Sequence, residues 1–184
     1  MKTNESVVKY VLRLTLTLLL ITSVVAAALA AVNSVTAPII AQLKAEKLQL
    51  AIEEVLPGGG ESVDFTDNTG WVSNVYKSDS GYAVEVTPTT GFNGAITMMV
   101  GIDTQGNILG ISVVSQTETA GLGAVCAAKT EAGQSFRGDF AGLSGEVAVD
   151  KDGGEVDSIT GATITSRAIC DGVNAALDCV ANMG

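Results

Sequence analysis

The chain has 184 residues, 47% of them hydrophobic, with a net charge of −10 and no histidine. The missing imidazole removes triad hydrolases, His-ligated zinc sites and histidine bases. The acidic surplus disfavours nucleic acid, which asks for a basic surface, and the length allows one globular domain plus an accessory segment.

A polar start carrying Lys2 and Lys9 leads into a run from Leu14 to Leu43 that contains no charged residue. Val11 to Val32 is dense in Leu, Val, Ile and Ala and long enough to span a bilayer. Lys2, Lys9 and Arg13 are the only basic residues before Lys44. The expected topology is therefore a single pass through the cell membrane, with the N-terminus cytoplasmic and the remainder extracytoplasmic. Small residues from Ala26 to Ala31 offer sites for signal-peptide cleavage, but the apolar run is longer than a signal core, which favours an uncleaved anchor. Pro38, with Thr36 as a cap, predicts the start of a second helix. Ile40, Leu43, Leu48, Ala51, Ile52 and Val55 form its apolar stripe, and Pro57 followed by Gly58, Gly59 and Gly60 ends it.

Strand texture follows. Trp71 to Lys77 and Tyr82 to Thr87 alternate around a Ser-Asp-Ser-Gly turn, and Ala95 to Asp103 and Ile108 to Ser115 flank the hairpin turn Thr104-Gln105-Gly106-Asn107. A short helix is expected near Ala124 to Thr130, irregular structure over Phe136 to Ser144, and a hairpin pairing Val147–Val149 with Val156–Ile159. The last helix begins after Gly161 and runs to about Asn182, burying Ile169, Val173, Ala176, Leu177 and Val180. Strands interrupted and closed by helices define an α+β class with a mainly antiparallel sheet. The expected division is an anchor over 1–34, a connector helix over 35–60 and a domain over 61–184.

Few residues suit chemistry. Cys126, Cys170 and Cys179 lack metal-ligand spacing and read as buried thiols; the last two sit roughly 13 Å apart along one helix. Asp150 and Asp152, like Glu53 and Glu54, read as solvated charge. Gly121-Leu122-Gly123 precedes a helix, but antiparallel surroundings argue against a dinucleotide fold. The hydroxyls of Thr160, Thr163, Thr165 and Ser166 have no base to activate them, so neither a catalytic nucleophile nor a metal site is expected. The informative stretch is Asp157-Ser-Ile-Thr160-Gly161-Ala162-Thr163, a turn that opens a helix. Two readings fit it: an ordinary helix capped by Ser or Thr, and an anion site presenting free amides and the positive end of the helix dipole.

Asp157-x-x-Thr160-Gly161-Ala162-Thr163 resembles the flavinylation motif of the FMN-binding domain family. Glu118-Thr119-Ala120-Gly121-Leu122-Gly123 resembles that family's second signature, with Ala120 where proline is usual. The resemblance implies FMN joined through its phosphate to the Thr163 hydroxyl by a flavin transferase. It implies Asp157 as a residue that the transferase recognises, Gly161 and Ala162 as a tight turn, and Thr160, Glu118, Thr119, Gly121 and Leu122 beside the cofactor. Anchor, connector and single domain are together similar to the G subunits of Rnf-type electron-transport complexes, relatives of the C subunits of sodium-translocating NADH:quinone reductases. That likeness implies an electron relay between ferredoxin and NAD, assembled with other membrane subunits. The alternatives are a free-standing extracytoplasmic flavoprotein reductase and a non-redox membrane-anchored binding module.

Overall fold

A computed structural model describes residues 2–183; Met1, Gly184 and the side chains of residues 1–6, that of Lys2 included, lie outside the described residues. The chain divides into two compact units, Met1–Ala45 and Glu46–Gly184.

Helix α1 runs unbroken over Lys2–Val55, with Pro38 inside it. This corrects the expectation of two helices meeting at Thr36. The Thr36 hydroxyl turns back to the carbonyl of Val32 at 3.0 Å and does not cap a new turn. Pro38 lacks the N–H that would meet the carbonyl four residues earlier, and its ring crowds that carbonyl, yet the helix continues through it. Thr15, Thr17 and Thr22 bond back in the same way, to Val11, Arg13 and Leu18. Such self-satisfied hydroxyls suit a helix in hydrocarbon, where no water can pair them. From Val7 onward the helix has an 18-residue window of mean hydropathy 2.3, none of it buried, so it is long and apolar enough to cross a bilayer. Ile40 and Leu43, assigned to the packing stripe, are exposed with this apolar run.

In the second unit, five strands form one antiparallel sheet in sequential order: β1 (Glu61–Val63), β2 (Val72–Ser78), β3 (Gly81–Val86), β4 (Thr97–Asp103) and β5 (Ile108–Ser115). Period-two alternation divides the strands between two cores. Val84, Val86, Met98, Val100 and Ile102 face the larger core, which helix α3 (Thr163–Ala181) closes with Ile169, Val173 and Ala176. Ala83 and Met99 face the other side, where Ala51, Ile52, Val55 and Leu56 from the end of α1 cover them. Both sides of β4 are thus buried. Two glycines permit the layers to meet. A Cβ at Gly101 would collide with the Val55 carbonyl, and one at Gly172 would collide with Met98.

Two further expectations need correcting. Helix α2 (Glu131–Gly138) replaces part of the segment read as irregular; Thr130 caps it by accepting from Gly133 N, and Phe136 from the helix and Phe140 from the turn after it enter the core as an edge-to-face pair. The 3₁₀ turn before it, Gly123–Ala127, is shorter than the helix expected there. The Val147–Val149 and Val156–Ile159 segments form no hairpin. Their link is one parallel bridge, Val149 with Val156, around the 3₁₀ turn Asp150–Asp152. The glycines explain the difference: Gly153 takes φ +87°, and Gly154 packs against the Ala148 carbonyl, so the chain loops under itself and does not reverse. The three cysteines are free and buried, as expected.

Candidate functional site

Helix α3 begins at Thr163, and the turn before it depends on Gly161 at φ +75°. The N-cap position belongs to Ala162, and no side chain caps the helix. That removes the ordinary Ser/Thr-capped helix as an account of this stretch. Its hydroxyls divide by role. Ser166 is buried and braces the turn, accepting from Ile159 N at 3.0 Å and donating to Ala162 O at 3.2 Å. Thr165 is buried and donates to Glu118 Oε2 at 2.7 Å. Thr163 is half-buried at the mouth of a cavity, and Thr160 is exposed outside it.

That cavity holds about 330 Å³ and joins the two motifs read in the sequence: Glu118, Thr119 and Leu122 on one side, Gly161, Ala162 and Thr163 on the other. Gly121 (φ +76°) shapes the second loop from outside the lining, and Asp157 is exposed beyond it. Glu118 is not a free group lining the cavity. The residue is 8% exposed, and its carboxylate accepts Asn93 N at 2.9 Å through Oε1 and takes the Thr165 hydroxyl through Oε2, so it ties two loops to helix α3. Gly123 permits this, because a Cβ there would meet Glu118 Oε2 and Thr165 Oγ1, each at 2.5 Å.

Sequence reasoning misses Phe92, Gly123, Ile164 and Thr165 as lining residues. Phe92 sits alone in a loop without periodicity, and its signal is exposure. Phe92, Leu122 and Ile164 are three of the five large apolar side chains left exposed between Glu46 and Met183, and all three line this cavity. Clustering of that kind marks a place for an apolar ligand surface.

Lys151 and Arg167 also escape the sequence reading. They are two of only five basic residues after residue 60, and both stand at the start of α3. Lys151 Nζ donates to Thr163 Oγ1 at 2.8 Å. Arg167, one turn along the helix, donates to Asp152 through Nε (2.6 Å) and Nη2 (2.7 Å). Asp150 accepts Ser158 N at 2.9 Å. The two aspartates assigned to solvated charge therefore fix this turn. Hydrogen bonds from Ser158 hold the Asp150 carboxyl below the usual carboxylate range, and those from Arg167 do the same for Asp152.

The FMN-binding domain family matches this chain over residues 91–178, a span that contains every residue of the cavity. The chain is 33% identical to the G subunit of the Na(+)-translocating ferredoxin:NAD(+) oxidoreductase complex of Acetobacterium woodii, over 100% of this chain and 99% of that protein. It is 32% identical to the G subunit of the ion-translocating oxidoreductase complex of Methanosarcina acetivorans, over 94% and 95% of the two chains. The corresponding protein of Vibrio vulnificus is 45% identical over 50% of this chain and 44% of its own. The chain belongs to the FMN-binding domain family, on the branch formed by the G subunits of ion-translocating oxidoreductase complexes.

The residues present suit FMN part by part. Uncapped amides at the α3 start suit a phosphate, exposed apolar side chains suit a flat aromatic ring, and Thr119 in the lining offers a hydroxyl to a polyol chain.

Proposed function

We propose that this chain is a membrane-anchored electron-transfer subunit of an Rnf-type ferredoxin:NAD ion-translocating complex, carrying FMN as a phosphoester on Thr163. The observation that carries the proposal is the Thr163 hydroxyl. It stands at the first residue of an uncapped helix, at the mouth of an apolar-rimmed cavity. FMN, when bound, supplies reversible one- and two-electron chemistry that no side chain here offers. The chain's own residues do the rest. The α3 amides hold the negative charge of the phosphodiester. Phe92, Leu122 and Ile164 cover the ring, and Thr119 and Leu122 form the wall that Gly121 shapes. Glu118 holds that wall to α3.

Asp157, exposed and free of the cavity, acts in recognition by the flavin transferase that makes the bond, while Thr160, Gly161 and Ala162 keep the approach to Thr163 open. The anchor keeps its N-terminus in the cytoplasm and carries residues 61–184 to the far side of the cell membrane, beside the complex's other membrane subunits. The bond keeps FMN with the protein on that side.

The test is in-gel fluorescence of denatured protein after co-expression with a flavin transferase. A fluorescent band is expected for the wild type and none for Thr163→Ala. Wild-type protein that exports and folds but never carries the band would sink the proposal.

A further inference from the structure

The contact between Lys151 Nζ and Thr163 Oγ1 is out of character for a surface lysine. We infer that Lys151 is the phosphate-binding residue of this site, whose ammonium selects a phosphorylated flavin over an unphosphorylated one. The inference rests on the FMN reading above and deepens it.

Three observations carry it. First, the lysine already reaches the atom that would bear the phosphorus, at 2.8 Å. The non-bridging oxygens of a phosphate on Oγ1 lie one bond further out, within the swing of a flexible four-carbon stem. Second, the neighbouring charges are committed elsewhere. Arg167 is held by both oxygens of Asp152, and this is the only ion pair among the described residues. Asp150 is occupied by Ser158 N. Lys151 is left as the one cation at the α3 start that forms no close ion pair among the described residues, the adjacent Asp150 charge acting on it only from further off. Third, the turn that carries Lys151 is clamped on both sides of it. Asp150 binds the backbone five residues before Thr163, and Asp152 binds a side chain four residues after it. Flanked by these two fixed points, the lysine is held over the hydroxyl.

An exposed lysine touching a threonine by chance would contribute almost nothing. The difference here is the setting. Beyond Asn33 the chain has nineteen acidic and seven basic residues, so a phosphate approaching this domain meets repulsion almost everywhere. One unpaired ammonium beside uncapped helix amides reverses that locally. Charge-assisted hydrogen bonds to phosphate are the strong kind.

The experiment uses full-length protein in detergent, made without a flavin transferase so that Thr163 is free, and titrated with FMN and with riboflavin by flavin fluorescence. Wild type is expected to bind FMN about tenfold more tightly than riboflavin, the scale of one charge-assisted contact. Lys151→Met should cut that ratio severalfold with riboflavin binding unchanged, leaving only what the α3 amides contribute, and Lys151→Arg should keep most of it. Thermal melting verifies that the variants are folded, which the exposure of Lys151 favours. In protein loaded by the transferase, Lys151→Met should also move the phosphorus NMR resonance of the phosphodiester. An undiminished ratio in Lys151→Met overturns the inference and leaves the FMN reading standing. A wild type that binds neither flavin, or both equally, also overturns the inference, while the FMN reading stands or falls on the in-gel band.

Discussion

Glu118 and Thr165 share a hydrogen bond of 2.7 Å inside the site although 47 residues separate them. Because the other Glu118 oxygen accepts Asn93 N at 2.9 Å, one carboxylate fixes the positions of three separate segments around the cavity. A buried carboxylate of this kind is stable only while its partners are present, and the partners are stable only while it is. Glu118→Ala strands the Thr165 hydroxyl and the Asn93 amide, and should destabilise the domain by about 2–4 kcal/mol. Glu118→Gln keeps the shape and should cost less. Chemical denaturation measures both, and an alanine variant as stable as the wild type would show that the bridge holds nothing.

Gly161 gives a sharper prediction about the cofactor site. Its φ of +75° lies where any other L-residue is strained, and a Cβ there would stand 3.1 Å from Leu122 Cδ2. Gly161→Ala should cost about 1 kcal/mol from the backbone alone. It should also displace Leu122 or rotate Thr163 away from the cavity mouth. Global stability should therefore change little while covalent flavin loading falls sharply. In-gel fluorescence set beside a melting curve separates the two effects; loading equal to wild type would show that the turn tolerates a side chain.

Much of this arrangement is legible in the sequence, and the reasons differ by element. The β4 and β5 hairpin can be read because Thr104 to Asn107 interrupts two apolar runs; the strand ends at the turn fall where expected, while β4 begins at Thr97, two residues after the expected Ala95. The place of Thr163 in the cavity lining can be read because it belongs to a local motif at a helix start. Phe92 and Lys151 cannot, because each reaches the site from a loop whose course depends on long-range contacts. The hairpin expected around Lys151 fails for the same reason: two glycines at Gly153 and Gly154 allow a loop as readily as a reversal. The continuity of α1 is hidden because Pro38 is a start signal in soluble helices. Within an apolar helix with self-bonded hydroxyls it is a tolerated interior residue.

The cysteines bear on alkaline stability. Burial first, then the Glu118 charge, pushes the Cys126 thiol up to about 11; burial, then Asp171, pushes Cys170 up to about 12. The folded chain therefore keeps protons that the unfolded chain releases above about pH 9. Since the folded state then binds more protons, stability is full below that pH and declines as pH rises beyond it. Melting temperature should be flat near neutrality and fall between pH 9 and the raised values. Replacing Cys126 and Cys170 with Ala should flatten that decline. At pH 8, thiol labelling should be slow in native protein and complete in denaturant, since both residues are buried.

Gly101 decides whether the end of α1 can lie on the sheet. It lies on β4 directly against Val55, where any Cβ would strike the Val55 carbonyl. The small cluster of Ala51, Ile52, Val55, Leu56, Ala83 and Met99 closes around that approach. Gly101→Ala must push the helix end outward, because backbone cannot yield as a side-chain tip does. Overpacking of this kind costs about 1–3 kcal/mol. The same shift pulls Glu54 from Ser112, whose hydroxyl it accepts at 2.5 Å. Amide exchange should accelerate first in residues 48–56 while α3 stays protected, because α3 packs on the opposite face. If exchange instead rose equally in both helices, the two cores would be one cooperative unit. Gly101 would then be reporting on global stability and not on the seat of α1.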